Sequence, residues 1–83
     1  MWDELQNLRT ANLDVRERLN GSEKNWILGL LGSRSGVNGA LWRGEDGLML
    51  SVQYDAEVIN GPDLLDLLQT WGVHARPAPL NRR

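Results

Sequence analysis

Residues 37–54 read VNGALWRGEDGLMLSVQY, and their pattern is that of a β-hairpin. Val37, Ala40 and Trp42 open a strand. Gly44-Glu45-Asp46-Gly47 is a turn, because an Asp-Gly step tolerates the positive φ that tight hairpins need. Leu48, Leu50, Val52 and Tyr54 then alternate with Met49, Ser51 and Gln53. That alternation sends the first set into a core and the second to the opposite sheet face.

Upstream, residues 26–34 are helix-like. Ile27, Leu28, Leu30 and Leu31 form an apolar stripe. Gly29 and Gly32 each cost such a helix about 1 kcal/mol relative to Ala, and tertiary packing is expected to offset that cost. The helix should end near Arg34, with Gly36 placed for a left-handed cap. Ser22 or Asn20 caps its start, with Glu23 in the first turn. Before it, in residues 12–19, Leu13 and Val15 alternate with Asp14 and Arg16, as in a half-buried strand. Downstream, residues 55–60 are a connection and Gly61-Pro62-Asp63 starts a second helix. Leu64, Leu65, Leu67, Leu68 and Trp71 build that helix, and Gly72 ends it. Residues 73–75 make a last strand, which Pro77 and Pro79 confine to an edge.

The order strand, helix, strand, strand, helix, strand predicts an α+β, ferredoxin-like βαββαβ fold: a four-stranded antiparallel sheet with two helices on one face. Residues 12–77 form this domain. Residues 1–11 are an N-terminal extension with Trp2, Leu5 and Leu8 at the spacing of a short helix, and residues 78–83 are a tail. The uncovered sheet face carries Asp14, Arg16, Leu41, Arg43, Met49, Ser51 and Gln53, and is mostly polar.

Composition narrows the function. With 83 residues the chain is one small domain with a thin core. It has no cysteine, which excludes disulfides, thiolate metal sites and a Cys nucleophile. A net charge of −2 disfavours nonspecific nucleic-acid and anionic-membrane binding, while leaving room for a local basic patch. No apolar run reaches the roughly 18 residues of a membrane span. The polar, acidic start MWDELQNLR is unlike a signal peptide, so a cytoplasmic location is expected.

Gly36-Val37, Ala40, Val52-Gln53-Tyr54-Asp55, Leu64-Leu65, Leu68, Gly72 and Ala75 together resemble the heavy-metal-associated domain of copper chaperones and metal-pumping ATPases. The resemblance covers residues 12–75. That family holds Cu(I) with a Cys-x-x-Cys at the start of the first helix. Counting back from Gly36-Val37, those places here are Asn20 and Glu23. An amide and one carboxylate cannot replace the soft thiolates that Cu(I) requires. The fold expectation therefore carries over and the thiolate chemistry does not.

Asn20 and Glu23 admit an oxygen-ligand metal site, but two donors fall far short of a Ca²⁺ shell of roughly 6–8 oxygens. They read better as a helix cap, and no metal or other cofactor is expected. His74, the single histidine, has no evident catalytic partner and reads as a surface residue. Glu45 and Asp46 read as turn residues. Residues 36–43 bear a superficial likeness to the phosphate cradle of acylphosphatases, but there the cradle precedes the first helix. Trp42 and Tyr54 share the inward register, so the outer sheet face lacks the stacking pair of an RNA-binding sheet.

Four tryptophans are many for so short a chain. Trp42 and Trp71 fit the core or its rim. Trp26 lies off the helical stripe, toward Gly29 and Ser33. Either it anchors a partner, or residues 1–10 fold back so that Trp2 and Leu5 cover it. No nucleophile–base pair stands out, so an enzyme is not expected. The expectation is a non-enzymatic interaction or regulatory module. Its protein partner would meet Asn20, Glu23, Lys24 and Trp26. Two alternatives stand beside it. One is a domain that binds metal through oxygen or nitrogen ligands, beside a membrane transporter. The other is a small-molecule sensor resembling the dimeric ACT domains, which share this element order.

Overall fold

The computed structural model describes residues 8–44 and 47–78. The chain runs β1 (Leu8–Val15), α1 (Gly21–Gly32), β2 (Val37–Arg43), β3 (Met49–Asp55), α2 (Gly61–Thr70) and β4 (Ala75–Pro77). The four strands form one sheet in the order β2-β3-β1-β4, with every neighbouring pair antiparallel. The domain is thus α+β.

Strand alternation builds the core. Leu13 lies opposite Leu50 and Ala11 opposite Val52, so one sheet face is apolar across its central strands. Ile27 and Leu31 of α1 and Leu64 and Leu68 of α2 join Leu13, Val15, Leu50 and Val52 in a single buried cluster. On the other face Ser51 is buried rather than exposed, and its hydroxyl donates to Asn12 Oδ1 at 2.6 Å. Arg43 and Gln53 are exposed there as expected, and Leu41 is 53% exposed.

Several boundaries differ from the sequence reading. β1 begins at Leu8, so residues 8–11, expected in the extension, belong to the sheet. Their pairing with β3, from Leu8 opposite Asp55 onward, outweighs a weak local pattern. Of the short helix expected over residues 1–10, Leu8–Thr10 are strand; residues 1–7, Trp2 and Leu5 among them, lie outside the described residues, as do Glu45, Asp46 and Pro79. α1 starts five residues before Trp26, at Gly21. Asn20, not Ser22, is its cap. Asn20 Oδ1 accepts from the Glu23 N–H at 2.8 Å, and Glu23 Oε1 accepts from the Asn20 N–H at 2.9 Å. This reciprocal pair satisfies two otherwise orphan donors. Asn60 and Asp63 repeat the device at α2, with Pro62 in the first turn.

β4 covers Ala75–Pro77 rather than residues 73–75. The reason is the end of α2. Gly72, at φ +85, donates to Gln69 O at 3.0 Å, and Val73 donates to Leu68 O at 2.8 Å. That is a Schellman motif, and its usual apolar contact is met here by buried Val73 and Leu68. Val73 is therefore spent on the cap. Pro77 sits in an edge strand, as its missing N–H requires. Ala78, expected in the tail, is buried and donates to Asn12 O at 2.8 Å, so the domain includes it. Gly29 and Gly32 are not tight-packing positions: a Cβ at either would meet nothing within 4 Å. No helix among the described residues is long and apolar enough to cross a membrane.

Candidate functional site

The loop of residues 16–20 leads from β1 into α1, and the end of α2 comes to rest beside it. Here Glu17, Arg18, Leu19, Glu23, Trp26, Ile27, Trp71, Gly72 and Val73 line a cleft of about 310 Å³. Trp26 and Trp71 form its aromatic wall. Their ring centroids are 6.5 Å apart and the planes tilt by 59°, within the range of attractive aromatic pairs. Trp71, the C-cap of α2, is half-buried. Trp26 leaves 55% of its surface exposed. One of the two sequence readings had residues 1–10 covering it. Of these, Leu8–Thr10 lie in β1, while Trp2 and Leu5, the residues that would cover it, lie outside the described residues. The ring that Trp26 does meet is Trp71.

The sequence-predicted contact residues part company. Glu23 and Trp26 line the cleft. Asn20 and Glu23 are engaged with each other in the capping box. Lys24 faces the other way: its ammonium lies 5.5 Å from the Trp42 ring centroid, a cation–π distance. Its backbone O accepts from Trp42 Nε1–H at 3.2 Å. Among the described residues no group of three His, Asp or Glu side chains is placed to hold a metal ion.

A pairing that sequence reading missed joins Glu17 to His74. Glu17 Oε1 accepts from the His74 N–H at 2.9 Å, and Oε2 lies 2.5 Å from His74 Nδ1. The hydrogen bond from the imidazole holds the Glu17 carboxyl below the usual carboxylate range, against a smaller opposing effect of desolvation. The signal for this contact was the β1–β4 pairing: extending it by one step from Val15 opposite Ala75 puts Arg16 opposite His74.

No protein-family model matches this chain, and no curated protein has a significantly similar sequence.

Proposed function

We propose that this chain is a ferredoxin-like domain acting as a non-enzymatic protein-interaction module, with Trp26 as its anchor. The element order and the sheet order β2-β3-β1-β4 support that fold, since each βαβ half leaves a gap in the sheet that a strand of the other half fills. The resemblance to heavy-metal-associated domains is read as one of fold. Most of the residues that carry it take core or turn places: Val52, Leu64 and Leu68 are wholly buried, while Gly36 and Gly72 have positive φ.

The observation that carries the functional reading is Trp26 itself. A large ring 55% exposed, braced on one side by Trp71, is preorganised for burial by a partner. Such rings dominate interface energies. Glu17, Arg18 and Glu23 around the cleft supply a polar rim. The partner is a protein presenting an apolar side chain to the Trp26–Trp71 wall.

The test is affinity capture from the source cells, followed by titration of the purified captured protein with wild type and Trp26→Ala. Loss of an interface anchor costs roughly 2 kcal/mol or more, so Trp26→Ala should weaken binding by about thirtyfold. Arg34→Ala, at the far end of α1, should leave it unchanged. Equal affinity for wild type and Trp26→Ala would end the anchor reading.

A further inference from the structure

The sheet face away from the helices holds a second feature, independent of the Trp26 reading. Asp14 lies opposite Arg76. Arg16 donates its N–H to His74 O at 2.8 Å, which extends the β1–β4 pairing by one step. Residues two apart share a face, so Asp14, Arg16, His74 and Arg76 stand together as two cross-strand pairs. With Val15 and Ala75 they line an open cavity of about 620 Å³, a size that accommodates a small ligand.

Two guanidiniums stand beside two carboxylates, Asp14 and Glu17, of which Glu17 is engaged by His74. Among the described residues neither Arg16 nor Arg76 is in an ion pair. His74 is held in place, because Glu17 takes both its backbone N–H and its Nδ1. That leaves Nε2 as the ring nitrogen available to a ligand. Two guanidinium forks suit the acceptor oxygens of an oxyanion, and Nε2, the acceptor of a neutral ring whose Nδ1–H goes to Glu17, suits one that also carries an O–H, as a phosphate monoester monoanion does. Asp14 at the same cavity repels a bare anion, but its carboxylate accepts from a hydroxyl.

We propose that this cavity binds a small hydroxyl-bearing phosphate monoester, with Arg16, Arg76 and His74 on the phosphate and Asp14 on a hydroxyl of the ligand body.

The experiment is an amide NMR titration of the full chain at fixed ionic strength, with glycerol 3-phosphate in one arm and inorganic phosphate in the other. Saturable shifts confined to residues 14–17 and 74–76 are expected, with tighter binding of glycerol 3-phosphate. Arg16→Gln or Arg76→Gln should each weaken it by about tenfold, the usual cost of a lost charged hydrogen bond. Both side chains are exposed, so the core amides of Leu50 and Leu64 should not shift in the variants. Arg34→Gln should bind like wild type. Shifts that grow without saturating, or affinities unchanged in Arg16→Gln and Arg76→Gln, would overturn the site. Equal affinity for the two probes would overturn the hydroxyl-bearing ligand class.

Discussion

Replacing Gly36 by alanine tests the packing of α1, β2 and the connection before α2 in one step. Gly36 has φ +92, and a Cβ there would sit 2.8 Å from Val58 Cγ1 and 2.9 Å from both Ile59 Cγ2 and Val58 Cβ. The backbone has little room to retreat, because Gly36 O accepts from the Asp55 N–H at 2.7 Å. Ile59 is itself part of the core. A left-handed conformation costs a non-glycine residue about 1–2 kcal/mol, and overpacking adds about 1–3 kcal/mol. The sum, about 2–5 kcal/mol, is a large part of the roughly 4–12 kcal/mol expected for a domain of this size. With a urea m-value of about 1 kcal/mol/M, the unfolding midpoint should fall by about 2 M or more. Gly29→Ala is the matched control: its Cβ meets nothing within 4 Å. It should raise stability by about 0.5–1 kcal/mol, the propensity difference between Gly and Ala inside a helix. A Gly36→Ala midpoint within about 0.5 M of wild type would refute this account of the turn.

Asn20→Ala removes the cap of α1 and should cost about 1 kcal/mol in urea unfolding, whereas Ser22→Ala should be close to neutral; the reverse order would move the cap to Ser22. For Glu17, the folded carboxyl titrates below its unfolded value. Its contribution is therefore fully present above the usual carboxylate range and is lost as pH falls through the folded pKa. The stability difference between wild type and Glu17→Gln should shrink as pH falls through and below the usual carboxylate range, and a difference that stays flat would contradict the Glu17–His74 pairing. Leu68→Ala, at a position with no exposed surface, should cost about 2–5 kcal/mol in the same assay.

Element order was legible because it rests on local periodicity. The alternation of residues 48–54 and the leucines of residues 64–68 each bury one face, and the structure keeps both. What escaped the sequence depends on pairing across the chain. Arg9, Thr10 and Asn12 carry no apolar signal, and β3 alone makes their segment a strand. Val73 was read as the start of the last strand, but the Schellman turn claims its N–H. Trp26 was legible as an outlier from its stripe, yet Trp71 as its brace was not. Glu17 and His74 are 57 positions apart, and only the register of an edge strand brings them together.

Three large apolar side chains are exposed among the described residues: Trp26 at 55%, Leu41 at 53% and Val58 at 57%. They lie on different surfaces, so mapping the bound face decides among them. The direct measurement is cross-saturation NMR on deuterated, ¹⁵N-labelled chain in complex with its unlabelled captured partner. The interaction reading predicts intensity loss at the Trp26 indole and at the amides of Arg18, Leu19 and Glu23. Loss centred on Leu41 or Val58, with the Trp26 indole untouched, would contradict it.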